Sequence, residues 1–282
     1  MNLQNILNDI QGTDPEFFER VSPRRATINK FLRGVSMAAL PVAFGGLLKK
    51  AYGKTNDAIT DILNFALTLE YLESEFYVTA VANAANIGIT GAALGAITTI
   101  RDHEVAHVKF LKTVLGPNAV AKPNFDFSGG MGSGNGPFKQ ALISNYPMFL
   151  AVAQTFEDTG VRAYKGQAQF LASENDILTA ALQIHSVEAR HAAHIRRMRL
   201  ATGGSLVSGN IKPWITGNSS NIETGDATVN GLIQKSYNGE DQVNQGGVTI
   251  TTFASPNAAS EAFDEPLDMA AVLDIVKPFI AP

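Results

Sequence analysis

The chain has 282 residues and no cysteine. That absence excludes disulfides, zinc-thiolate sites, iron-sulfur clusters and thiol nucleophiles, so any bound metal must draw on oxygen and imidazole ligands. A strong charge imbalance is also missing: Lys and Arg total 22 against 26 Asp and Glu, a formal net charge of -4. Such a surface offers no electrostatic footprint for nucleic acid, and Arg20, Arg24, Arg25, Lys30 and Arg33 form only a local basic cluster. No apolar run is long enough for a transmembrane helix, which needs about 20 residues. Histidine is scarce, with five in the whole chain.

The longest apolar run, about fourteen residues from Val35 to Leu48, follows the pair Arg24-Arg25. A twin-arginine pair before such a run suits a signal-peptide core, and Ala51-Tyr52-Gly53 resembles a cleavage site. Against this, the pair lies more than twenty residues from Met1, and Lys49-Lys50 follow the run. Export through this segment and retention in the cytoplasm, with a packed N-terminal helix, both stay open.

Four long helical patterns follow. The first starts near Thr55 or Asn56, either able to cap, and puts Ile59, Leu63, Ala66, Glu70, Ser74 and Tyr77 on one stripe before ending near Asn86. After the short link IGITG, the second runs to Gly116-Pro117 with Ile97, Ile100, Glu104, His107, Val108, Leu111 and Leu115 in line. A link this short makes the pair antiparallel. The third, from about 138 to 171, aligns Phe149 or Leu150 with Ala153, Glu157, Val161, Tyr164 and Ala168, Pro147 kinking its first half or delaying its start. The fourth is expected to take Ser173 as cap and carries Ile177, Ala181, Ile184, Glu188, His191, Ile195 and Met198 until ATGG stops it.

Between the second and third patterns lies PNAVAKPNFDFSGGMGSGNGP, rich in Gly, Asn and Pro, which reads as loop. Its glycines do not make a phosphate cradle, because no lysine-serine or lysine-threonine pair follows and no strand precedes. A connection of this length can run the height of a helical bundle, so the third helix is expected parallel to the second. The fold expected is all-α: a four-helix bundle with a long crossover between helices 2 and 3. The division expected is 1-54 for an N-terminal helical or signal-like segment, 55-202 for the bundle and 203-282 for an irregular C-terminal extension. In that extension GVTITTF reads as a short strand and EPLDMAAVLDIVKPFI as a short amphipathic helix. It could wrap its own bundle or dock on a neighbouring subunit.

Two of the five histidines stand three residues after a glutamate, in HEVAH and VEARH. Chance placement of 13 glutamates and five histidines gives about 0.23 such pairs, so two in mid-helix make a pattern. A glutamate followed seven residues later by tyrosine also recurs, as Glu70 with Tyr77 and Glu157 with Tyr164. The chain is therefore an internal two-helix repeat in which a lone glutamate on one helix precedes a Glu-x-x-His pair on the next.

Residues three apart share a helix face, so each Glu-x-x-His pair presents an oxygen and a nitrogen to one side. Four carboxylates buried together without compensation would each cost several kcal/mol, and no Lys or Arg lies on the inner stripes to balance them. Two divalent cations would bring +4 against four carboxylates and two neutral imidazoles. The competing interpretations are a bundle with buried ion pairs and no metal, and a zinc hydrolase, which ordinarily needs an open three-ligand site. Glu73 and Glu75 are alternative ligands on the first helix, but their faces suggest solvation, and His103, His185 and His194 fall off the inner stripes.

The segments LNFALTLEYLESEFY, IRDHEVAHVKFL, AVAQTFEDTGVRAYKG and QIHSVEARHAAHIRRM resemble the four helices of the ferritin-like superfamily, in particular bacterial ferritin-like domain proteins related to desiccation-associated proteins. Its di-iron and di-manganese members use one Glu from each of two helices and Glu-x-x-His from the other two. By that resemblance Glu70 and Glu157 are terminal ligands, Glu104 and Glu188 bridge two metals, and His107 and His191 bind one metal each, with Tyr77 and Tyr164 behind them. The same six would be catalytic. The resemblance implies two iron ions, with manganese accepted by the same shell, and oxidation of Fe(II) by dioxygen or peroxide, a ferroxidase or peroxide-scavenging role in stress protection. A homo-oligomer joined through the terminal extensions is the expected assembly. The alternative is a structural or stress-protective assembly protein in which the metal only holds the bundle.

Overall fold

The computed structural model describes residues 57-282. The arginine pair, the apolar run and the caps expected at Thr55 or Asn56 lie outside the described residues. Four long helices dominate: α1 (Asp57–Ala82), α2 (Gly91–Leu115), α3 (Tyr146–Ala168) and α4 (Asn175–Ala201). A one-turn helix, Ala84–Ile87, fills the link between α1 and α2, and Gly88 at its end takes the left-handed conformation, φ +92°, that glycine adopts without penalty.

The contacts across the bundle fix the helix directions. Glu70 on α1 meets His107 on α2, while Asn64 nearer the start of α1 meets Asn118 just beyond α2, so those two run antiparallel. Tyr77 reaches Glu157 and Tyr164 reaches Glu70, so α1 and α3 are antiparallel as well. Consequently α2 and α3 are parallel, and the crossover of about thirty residues returns the chain to the starting end. Along α3 and α4, His185 pairs with Val161, His191 with Glu157 and Arg199 with Gln154, an antiparallel run. The fold is the expected all-α four-helix bundle, with its long crossover between the second and third helices.

Two local expectations need correction. The third helix begins at Tyr146 and not near 138, the delayed start being one of the two outcomes expected of Pro147: in the first turn its missing N–H is no loss, and the Asn145 side chain caps Met148 N at 2.9 Å. In α4, Ser173 does not cap: the helix starts at Asn175 behind Glu174, with no side-chain cap. The glycine-rich loop has its own anchor, since Asp126 accepts from Ser128 N, Ser128 Oγ, Gly132 N and Gly134 N, which occupies the amides that would otherwise face an anion.

The extension beyond Ala201 wraps its own bundle. It carries α5 (Ala227–Gln234), a hairpin of two-residue strands β1 (Asn244–Gln245) and β2 (Val248–Thr249), a single turn Pro256–Ser260 and α6 (Met269–Val276). Of the GVTITTF stretch only Val248–Thr249 is strand, and Ile250–Thr252 forms a 3-10 turn. Val229, Ile233, Tyr237, Val272, Val276 and Phe279 enter the same core as Phe76, Phe149 and Phe156. The outer face of α3 is therefore covered: Arg162 donates to the carbonyls of Ser236, Asn238 and Glu265, and Thr159 to Ser236 Oγ. At Gly166 an added Cβ would collide with the Leu267 carbonyl oxygen, so the lack of a side chain there lets the extension lie directly on the helix. Among the described residues no helix is long and apolar enough to cross a membrane.

Candidate metal centre

The lone glutamates sit near the middles of α1 and α3, and the Glu-x-x-His pairs lie near the middles of α2 and α4. Regular helix geometry turns all six side chains toward the bundle axis. Glu70, Glu104, Glu157 and Glu188 are each fully buried, His191 is 5% exposed and the His107 side chain 12%. Ligand-capable atoms of Glu70, Glu104, His107 and Glu188 all lie within 4.8 Å of one another, and so do those of Glu104, Glu157, Glu188 and His191. The two quartets share Glu104 and Glu188.

Both imidazoles point Nδ1 into the cluster. His107 Nδ1 stands 3.1 Å from Glu70 Oε2, 3.1 Å from Glu104 Oε2 and 3.2 Å from Glu188 Oε1. His191 Nδ1 stands 2.9 Å from Glu104 Oε1, 3.1 Å from Glu157 Oε2 and 3.8 Å from Glu188 Oε2. One nitrogen cannot donate to three acceptors at once. Glu104 Oε1 and both oxygens of Glu188 are buried without a hydrogen-bond partner. Orphaned acceptors of this kind cost about 1–3 kcal/mol each, more when charged.

Without cations the cluster must share protons. Burial pushes Glu70 up to about 8 despite the opposing His107, and it also raises Glu157 well above the carboxylate range. Burial opposes ionisation of Glu104 and Glu188 too, but the two imidazoles overcome it and lower both. Burial likewise disfavours the imidazolium form, yet Glu157 and Glu104 drive His191 up to about 12, and Glu70 with Glu104 raises His107. The protonated imidazoles thus stand in for the missing positive charge. Among the described residues no arginine does so: the buried Arg162, Arg196 and Arg199 are taken by Glu240, Asp158 and Gln154. A donor set of four carboxylates and two imidazoles, with orphaned oxygens at its centre, fits a pair of first-row divalent ions.

Residues 58–201 match the model of the ferritin-like domain. The chain belongs to the ferritin-like domain family. No curated protein matches it. The matched span in this member of the family covers all four bundle helices and leaves the wrapping extension outside.

Other expected residues are placed differently. The tyrosines do stand behind the lone glutamates, but each behind that of the opposite helix. Seven residues span about 10 Å along a helix, so Tyr77 instead donates across the bundle to Glu157 Oε1 at 2.5 Å and Tyr164 donates to Glu70 Oε1. Glu75 is half-exposed and paired with Lys122, but Glu73, expected in solvent, is 3% exposed and lies beside Glu188. The signal that could have revealed it is its offset of three from Glu70, which puts both on one face. His103, off the inner stripe, stacks on His191 with its Nδ1 2.9 Å from Nε2. His185 meets the Val161 carbonyl and His194 is exposed.

Proposed function

We propose that Glu70, Glu104, His107, Glu157, Glu188 and His191 hold two iron ions and that the protein oxidises Fe(II) with dioxygen or peroxide. The observation that carries this reading is Glu188, a fully buried carboxylate at the centre of the cluster, neither of whose oxygens has a hydrogen bond. Bound as a pair, the ions supply two electrons, which with two protons take dioxygen to hydrogen peroxide or peroxide to two waters. The protein's part is to hold them close. Glu104 and Glu188, common to both quartets, would serve both ions, and Glu70 and Glu157, each oriented by a tyrosine hydroxyl, would serve one each. The His107 side chain is the most open of the six, so reactants approach along the α2 edge. Manganese fits the same donor set.

A second reading, in which the metals only staple the four helices, is favoured by the burial of the carboxylates, which leaves little room for a reactant. Anaerobic loading with Fe(II) followed by oxygen separates the two. The redox reading expects ferric product at a rate that disappears in Glu104→Ala. Two tightly held irons that stay ferrous in air would overturn it in favour of the staple.

A further inference from the structure

The internal repeat breaks inside the site three residues after the lone glutamates. Glu70 corresponds to Glu157 and Tyr77 to Tyr164, and by the same offset Glu73 corresponds to Gly160. These two odd residues meet. A Cβ placed on Gly160 would stand 3.1 Å from Glu73 Oε1 and 3.5 Å from Glu188 Oε2. The missing side chain at 160 is therefore the space in which the Glu73 carboxylate lies next to Glu188.

Glu73 is 3% exposed and, among the described residues, makes no hydrogen bond or ion pair. A buried carboxylate without compensation is costly, and nothing in the six-ligand set requires a fifth one. A cavity of about 10 Å³, bordered by Leu69, Leu72, Phe156, Thr159 and Val276, adjoins it.

We propose that Glu73 is a charge-compensating carboxylate of the metal centre, favouring the higher oxidation state of the ions held by the six ligands. This rests on the dinuclear reading above. Two divalent ions are neutralised by four carboxylates, but after each gives one electron to an acceptor the ions carry +6 and the site is left with a surplus of +2. In a dry interior that surplus is poorly screened. Burial and the neighbouring carboxylates of Glu188 and Glu104 hold the Glu73 carboxyl well above its ordinary range in the metal-free site; ionised against that surplus, it would place one further negative charge beside Glu188, on the side that Gly160 leaves clear.

The test uses the full chain loaded with iron, with metal content by elemental analysis and reduction potential by mediator titration followed optically. Glu73→Gln keeps the shape and removes the charge; it is expected to retain two irons and to favour Fe(II) over Fe(III) at least tenfold more than the parent, a rise of about 59 mV for a one-electron step. Glu73→Asp should fall between the two, and Glu75→Gln, at the half-exposed partner of Lys122, should match the parent. Two irons with an unchanged potential in Glu73→Gln overturn the proposal. Loss of an iron from that variant overturns it too, since Glu73 would then be an ordinary ligand. Should Glu73→Gln fail to fold, Gly160→Ala crowds the carboxylate away and must raise the potential, an unchanged value being fatal. A parent chain that holds fewer than two irons sinks the dinuclear reading itself, an outcome visible before any variant is compared.

Discussion

Tyr77 on α1 gives its hydroxyl hydrogen to Glu157 Oε1 on α3, 2.5 Å away, and the exchange is returned by Tyr164 on α3 to Glu70 on α1. Each lone glutamate is thus oriented by the other half of the repeat. Burial raises both phenols well above the usual tyrosine range, so they remain donors. Tyr77→Phe leaves Glu157 Oε1 without its donor and is expected to destabilise the metal-free chain by about 1–3 kcal/mol in urea unfolding. Outer partners of metal ligands typically change affinity about 10- to 100-fold, and a Mn(II) titration should show that loss. Unchanged affinity in Tyr77→Phe would mean that Glu157 needs no support.

His103 gives the two halves unequal environments. It precedes Glu104 and binds His191 Nε2, whereas the residue preceding Glu188 is Val187, which has no side-chain hydrogen bond to offer His107. A hydrogen bond at the outer nitrogen fixes which ring nitrogen faces the metal. His103→Val, which makes the halves alike, is expected to weaken one of two Mn(II) sites about 10- to 100-fold and leave the other alone. Calorimetry resolves two binding steps; an equal weakening of both would count against the assignment.

The bundle was legible because its signal is periodic: inner stripes, two Glu-x-x-His pairs and a crossover too long for a hairpin. What escaped reading depended on contacts between segments distant in sequence. Gln154, Asp158, Thr159 and Arg162 look like a solvated face of α3, but they are buried against Ser220, Tyr237, Ser236 and Glu265 of an extension with almost no periodic pattern of its own. The crossed tyrosines escaped for a related reason, since sequence spacing gives the face of a helix and not the partner across it. Glu73 was misplaced because a lone glutamate at that spacing is ordinary until Gly160 is seen opposite.

Proton sharing in the metal-free cluster sets its pH dependence. Glu70 rises from 4.5 to about 8 and His191 from 6.5 to about 12, so between pH 6.5 and 8 the folded chain binds protons that the unfolded chain has released. Stability then falls as pH rises, by about 1.4 kcal/mol per pH unit for each such proton. Ligation requires deprotonated carboxylates and neutral imidazoles, so metal uptake releases those protons and tightens as pH rises. Urea unfolding at pH 6.5 and 8 with chelator should show the drop, and Mn(II) should abolish or reverse it. Equal metal-free stabilities at the two pH values would refute the shared-proton account.

The clamp between the bundle and the extension can be tested apart from the metals. Arg196 lies 2.5 Å from Asp158 Oδ2, the same oxygen that accepts from Tyr237 at 2.7 Å, all three groups being buried. Arg196→Ala leaves Asp158 buried with its cation gone, a change worth about 3–5 kcal/mol in comparable pairs. Asp158→Asn in the same background should recover part of the loss, because the stranded charge is then removed. Gly166→Ala acts at a different contact, driving a methyl group into the Leu267 carbonyl, and is expected to cost about 1–3 kcal/mol as an overpacked site. In both variants limited proteolysis should cut the extension before the four helices. Cleavage within α3 or α4 first would show that the extension does not depend on these contacts for its place on the bundle.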